Sequence, residues 1–212
     1  ELIGADGLEA DKDILSAAFG ALTETGAAGF RIELGHAEIY KALIEELGVD
    51  AAAAESIRRL IENKSFAALG DALSPYGDRP AAGALRAMPQ LFGGMEVLDR
   101  VEALTGNVRV LGAVSYLRRL YRALDEAGYG DRIMIDLGLV HEMDYYTGVM
   151  FRGYIGGAGA AILAGGRYNA LCAKFGRDMP AGGFGIDVES VAESLQGAAG
   201  TETGIRRDTV RI

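Results

Sequence analysis

The chain is poor in the residues that build covalent and metal frameworks, with one cysteine, Cys172, and two histidines, His36 and His141, among 212 residues. A lone cysteine closes no internal disulfide, and its setting near Leu171 and Phe175 reads as apolar packing. The two histidines lie far apart with no His or Cys partner at ligand spacing, which argues against a metal centre. No stretch approaches ~18 unbroken apolar residues, so no membrane-spanning helix is expected. No charged leader precedes an apolar run either, and together these absences point to a cytoplasmic protein. Neither GxxxxGK[ST] nor a helix-opening GxGxxG occurs, which removes the common phosphate-binding loops. Positive charge is in deficit, 21 Lys and Arg against 30 Asp and Glu, for a net charge of −9. That balance disfavours nucleic acid as a partner.

What remains is apolar and patterned. Half the residues are hydrophobic, enough for one core, or a core with a small insert. Ile14, Leu15, Ala18, Phe19 and Leu22 recur at helical spacing between Gly7 and Gly26. Phe30, Ile32 and Leu34 then alternate with polar or small residues, the period of a half-buried strand. Ile39, Leu43, Ile44 and Leu47 form a second helical stripe before Gly48. Residues 51–108 change character: an alanine run, short helical patterns, and breaks at Pro75, Pro80 and Pro89 indicate a small helical insert rather than sheet. Residues 1–50 and 109–212 make up the main unit. From Val114 another helix runs to Gly128, and the run Ile133 to Leu139 reads as a buried strand. Segments 149–155 and 160–164 are apolar runs separated by glycines, a hairpin pattern. Gly165, Gly166 and Arg167 are expected to lead into a short helix, followed by a strand at Gly183–Ile186 and a helix over 188–195. The expected class is α+β, an antiparallel sheet flanked by helices.

Three motifs stand in order near the end: DYYTGVMF from Asp144, GGRY from Gly165, and PAGGFGID from Pro180. A fourth block, ELIGADGLEADKDIL, opens the chain. Tyrosine hydroxyls both donate and accept, so Tyr145 and Tyr146 suit a small polar ligand such as an imidazole, carboxylate or ammonium. The four blocks together resemble the histidyl-tRNA synthetase family of class II synthetases. The resemblance implies a class II synthetase-like antiparallel sheet. It also implies a histidine pocket that draws on Glu1, Tyr145, Tyr146, Gly165, Gly166 and Gly183, with the glycines letting a ligand approach the sheet. No cofactor is implied.

Two departures alter the functional expectation. His141, three residues before Asp144, stands where the synthetases have one catalytic arginine, and Ser190 stands where they have the other. Forming an adenylate builds negative charge on phosphoryl oxygens, which a guanidinium fork stabilises with two directed donors. Neither an imidazole nor a hydroxyl reproduces that fork, and losing one such donor commonly costs on the order of 10² to 10³ in rate. Asp187 adds negative charge where a triphosphate would sit. A histidine site without adenylation chemistry is similar to the non-catalytic branch of the family, the regulatory subunits of ATP phosphoribosyltransferase, and Arg152 in FRGY fits that branch better than the acidic residue usual in synthetases. That resemblance implies no catalytic residues and L-histidine as effector. Its implied partner is the catalytic ATP phosphoribosyltransferase subunit, in a hetero-oligomer with self-association. The alternative is a working histidyl-tRNA synthetase or its catalytic fragment.

Overall fold

A computed structural model describes residues 1–27, 29–140 and 145–202, with side chains described to residue 196. The elements run β1 (Leu2–Ile3), α1 (Leu8–Glu24), β2 (Arg31–His36), α2 (Ala37–Leu47), α3 (Ala51–Glu62), α4 (Phe66–Leu73), α5 (Pro80–Ala87), β3 (Phe92–Gly93), α6 (Glu96–Glu102), α7 (Val108–Glu126), β4 (Ile133–Asp136), β5 (Val149–Tyr154), β6 (Leu163–Arg167), β7 (Ala181–Ile186) and α8 (Val188–Glu202). Among the described residues no helix is long and apolar enough to cross a membrane.

Local chemistry sets the helix limits. His36 opens α2 by accepting from the Glu38 amide at its Nδ1, 3.2 Å away, and Gly48 closes it in the left-handed region at φ +72°, where a side chain would be strained. Asn107 caps α7 by accepting from the amides of Arg109 and Val110, so this helix begins at Val108 rather than at Val114.

The seven strands lie in the order β1-β7-β6-β5-β2-β4-β3. The expected α+β class with its antiparallel sheet is found, with one parallel pair within it, β2 beside β4, Ile32 next to Ile133. The long, largely helical excursion between them gives the crossover that parallel strands need. Residues 51–108 are also not purely helical: β3 pairs with β4, Phe92 opposite Asp136. Ile57, Ile61, Leu69 and Leu73 join the same hydrophobic cluster as Phe19 and Leu117. Gly165–Arg167 lie in β6, where the glycines pair with both β5 and β7 and Arg167 with β7; the short helix expected after them is the 3-10 helix Cys172–Phe175, closed at Gly176.

Strand alternation gives the sheet two unlike faces. On the back face Ile32, Leu34, Phe151 and Leu163 are essentially buried. An ideal Cβ on Gly153 would stand 3.2 Å from Leu22 of α1, and one on Gly182 would stand 2.9 Å from Ile14. Helix α1 therefore packs directly on this face. At its margin the Arg167 guanidinium, 3% exposed, donates to Asp11 Oδ1 through Nε at 2.7 Å and Nη2 at 2.5 Å. Its Nη1 donates to the Ala5 carbonyl at 2.7 Å, while Tyr116 of α7 donates to the other Asp11 oxygen at 2.5 Å. One ion pair thus joins β6, α1, α7 and the loop after β1.

Two outcomes are expected. Asp11→Ala leaves a buried guanidinium with only the longer contact to Asp6, 3.7 Å away, and lowers stability by about 3 kcal/mol, measured by urea unfolding; a loss under about 1 kcal/mol would equate the pair with an exposed one. His36, largely buried, accepts a hydrogen bond that requires a neutral ring, and burial lowers its pKa from 6.5 to about 4. Between those values the unfolded chain binds a proton that the folded chain does not, so stability is full above pH 6.5 and is lost as pH falls through about 4. The loss reaches about 3 kcal/mol. His36→Asn, which keeps a capping acceptor, should flatten that part of the unfolding profile from pH 7 to 4; an unchanged profile would show that His36 does not titrate there.

Candidate functional site

The front face carries an unbroken cross-strand row in which Gly35 faces Met150, Met150 faces Gly166, and Gly166 faces Gly183. Three of its four members have no side chain. Leu2 pairs with Gly182, which sets Glu1 beside Gly183 at the end of the row. A second row, Glu33, Arg152, Ala164 and Gly185, runs parallel to it on the same face.

The space left by the glycines is occupied by the site's own side chains. A Cβ on Gly166 would stand 2.7 Å from two carbons of the Tyr146 ring, and one on Gly183 would meet the Glu1 carboxyl group. The sequence reading gave these glycines to close approach by a ligand; here they let Tyr146 and Glu1 lie flat on the strands. Gly35 serves the fold instead, since a Cβ there would stand 2.9 Å from the Asp136 carbonyl oxygen and 3.2 Å from Leu139 Cβ. Gly165 has a different position from that expected. It belongs to the back face, where a Cβ would press on Phe151 and Phe184, so its bareness serves the core.

Tyr145 and Tyr146 meet edge to face with ring centroids 4.9 Å apart, and Tyr145 also lies 5.0 Å from the ring of Tyr168. Tyr168 is 7% exposed and Tyr145 41%, so the trio runs from the core to solvent. Burial first pushes both the Tyr145 and Tyr146 hydroxyls above the ordinary phenol range, followed by the Glu1 charge at Tyr145 and by Tyr145 and then Glu1 at Tyr146. Both are neutral at pH 7 and able to donate as well as accept. The turn bearing them is tied down from two elements: Lys41 Nζ of α2 donates to the Tyr146 carbonyl at 3.0 Å, and the Thr147 amide donates to the Arg167 carbonyl at 2.8 Å. Met150, Leu139 and Ala37 pack around Tyr146.

Glu1, Tyr145, Tyr146, Gly166 and Gly183 therefore converge on one region. Sequence reasoning missed Tyr168, although it ends the GGRY motif, and missed Gly35 and Met150, which the two-residue strand period could have placed on the same face. His141 lies outside the described residues. Ser190 is engaged in helix capping: its hydroxyl donates to Asp187 Oδ2 at 2.7 Å and its amide donates to Oδ1 at 3.1 Å. Asp187 in turn receives the first helical bond of α8 from Val191. Hydrogen bonds from Ser190 hold the Asp187 carboxyl below the usual carboxylate range, so this corner is anionic. Among the described residues no group of three or more His, Cys, Asp or Glu is arranged to hold a metal ion. The chemistry on offer is recognition of a small molecule with polar and cationic groups by the Glu1 carboxylate and neutral phenols, which themselves lie over the bare glycine positions.

Comparisons with known proteins agree with this architecture. The histidyl-tRNA synthetase family model matches residues 1–191. An ATP phosphoribosyltransferase regulatory subunit from Clostridium kluyveri is 39% identical over 199 residues, covering 92% of this chain and 51% of that protein. A solved ATP phosphoribosyltransferase regulatory subunit/histidyl-tRNA synthetase from Bacillus halodurans is similar with a TM-score of 0.84 at 28% identity, over 92% of this chain and 51% of that one. A histidine–tRNA ligase subunit from Alicyclobacillus acidocaldarius gives 0.80 at 30% identity, over 93% and 63%. The chain spans about half the length of the curated relatives it matches. With four sequence blocks, the mixed sheet and its glycine-floored face in agreement, the chain belongs to the histidyl-tRNA synthetase family and has the class II synthetase-like fold.

Proposed function

We propose that this chain is the synthetase-like part of a regulatory subunit of ATP phosphoribosyltransferase, one that binds L-histidine on the front face and performs no adenylation. Its partner is the catalytic ATP phosphoribosyltransferase subunit, which carries out the first step of histidine biosynthesis, and histidine bound here signals product abundance to it. The observation that carries the reading is the contrast between the two ends of the face. At one end Glu1, Tyr145 and Tyr146 offer an anionic acceptor and neutral donors suited to an imidazole and an ammonium. At the other, the position that the synthetases fill with an arginine is Ser190, committed to capping α8 beside the charged Asp187. A triphosphate meets a carboxylate there rather than a guanidinium, which repels it.

Adenylation needs groups aimed at charge that appears only in the transition state, whereas binding histidine needs only ground-state contacts. The naming of curated relatives as regulatory subunits supports the same side. Similarity to a histidine–tRNA ligase subunit at 30% identity keeps one rival reading, that of a working ligase, and the two separate cleanly by assay.

Histidine-dependent exchange of pyrophosphate into ATP by the full-length protein should be absent, and measurable turnover would replace the regulatory reading with the ligase. Titration calorimetry of the same protein should detect L-histidine. Replacing Tyr145 and Tyr146 together with Phe removes two hydroxyls and keeps both rings, so affinity should fall by about 10- to 100-fold, at ~1 kcal/mol per hydrogen bond, with the unfolding midpoint unchanged. Equal affinity in the double variant would move the site elsewhere.

A further inference from the structure

Glu1 and the two phenols suit the imidazole and ammonium of an amino acid, but its carboxylate asks for a cation, and none of those groups supplies one. Arg152 of β5 stands on the same face, in the row beside the one that Tyr146 and Glu1 cover. Three neighbouring strands thus carry, in order, a carboxylate over Gly183 of β7, a phenol over Gly166 of β6 and a guanidinium on β5. The backbone positions of Gly183 and Arg152 lie two strand spacings and one row apart, about 12 Å on a flat sheet. A molecule of amino-acid size can bridge that span with a hydrogen bond at each end. Tyr146 lies between the two charges: burial acts first on its hydroxyl, Tyr145 and Glu1 push the same way, and the Arg152 charge opposes them, whereas Tyr145 responds to burial and Glu1.

Arg152 is not consumed by its own neighbours. Among the described residues the one carboxylate it meets within 4 Å is Glu62, 3.3 Å from Nη2, and Glu62 accepts a shorter bond, 2.8 Å, from Arg58. Buried Glu33, opposite Arg152 on β2, pairs with Arg31 at 3.2 Å. Both carboxylates therefore have another cation. Even with the Tyr154 hydroxyl as a further neighbour, most of the five guanidinium donors stay uncommitted, and 26% of the side chain is exposed. The row beyond Arg152 is open as well: Ala164 is exposed, and a Cβ on Gly185 would meet nothing within 4 Å.

Resting on the histidine-site reading above, we infer that Arg152 binds the carboxylate of the ligand, so that the site selects a zwitterionic amino acid over its counterpart without a carboxylate. A planar guanidinium presents two parallel donors to the two oxygens of a carboxylate. With Glu1 at the other end, the order of charges across β7, β6 and β5 also fixes which way round the ligand lies.

Titration calorimetry of the full-length protein with L-histidine and with L-histidinol, in which a neutral hydroxymethyl group replaces the carboxylate, tests this role. The unaltered protein should bind L-histidine about 10- to 100-fold more tightly than L-histidinol. Arg152→Gln should abolish most of that preference by weakening L-histidine alone, and Arg152→Lys, which keeps the charge without the fork, should retain part of it. Glu62→Gln removes the contact that ties Arg152 to α3 and should leave the preference intact, even where the unfolding midpoint falls. Equal losses for both ligands in Arg152→Gln, or a preference lost as fully in Glu62→Gln, would make Arg152 a structural tie to α3 and overturn the inference. Equal binding of both ligands by the unaltered protein would overturn it too, with the histidine-site reading left standing; binding of neither removes both.

Discussion

The burial of Arg167 against Asp11 sets the phase of β6, and with it everything on the front face. A strand exposes alternate residues to opposite sides, so a shift of one residue exchanges the two faces wholesale. Arg167 has its charge met on the back by Asp11, Ala5 and, through Asp11, Tyr116. With that side chain committed, Gly166 must face forward and Gly165 backward. The first lies beneath the Tyr146 ring, and the second makes room for Phe151 and Phe184. Any other phase would place a buried guanidinium among the tyrosines and strip it of its carboxylate, which costs several kcal/mol. The GGRY motif is in this sense one device: two glycines with opposite duties, an arginine that fixes which is which, and a tyrosine that backs Tyr145.

Under the proposed regulatory reading, the same division of faces lets a recognition site persist without the groups that adenylation needs. Helix α1 and the back of the sheet form a dry core, and none of the front-face groups is needed to complete it. Substitutions at the far end of the front face, such as a serine and an aspartate where a synthetase has an arginine motif, therefore leave the fold untouched. The helix terminus makes use of them: Asp187 and Ser190 cap α8, satisfying amides that an N-terminal turn leaves open.

Most of the helices were legible because their stripes and stops are local. Ile14 to Leu22 and Ile39 to Leu47 carry the helical period, and Gly48 takes the left-handed cap that only glycine adopts easily. Helix α7 was read as starting late because its first turn offers the exposed Val108 and Arg109; the informative residue is Asn107, whose side chain supplies the cap. The two edge strands, β1 and β3, have two residues each, too short to show any period. Gly165–Arg167 did not read as strand because glycine lacks β-propensity, and only cross-strand partners reveal why bare positions are needed there. The parallel pairing of β2 with β4 depends on contacts far apart in sequence, which no local pattern encodes. Of the site, the motif blocks named Glu1, Tyr145, Tyr146, Gly166 and Gly183 correctly as neighbours, while the facing of Gly165 required the register.

The segment 51–108 shows where sequence reading by motif stops. It has no block that matches a known function, and its prolines mark it as a string of short helices. Yet it completes the sheet edge through β3, shares the hydrophobic core, and brings Glu62 to Arg152 of the front face. Apolar burial alone would have docked these helices. The Glu62–Arg152 contact adds direction to that docking, because hydrogen bonds from a guanidinium impose an orientation where hydrophobic contact does not. A segment without motifs thus completes the sheet edge and the core on which the motif-bearing strands rest.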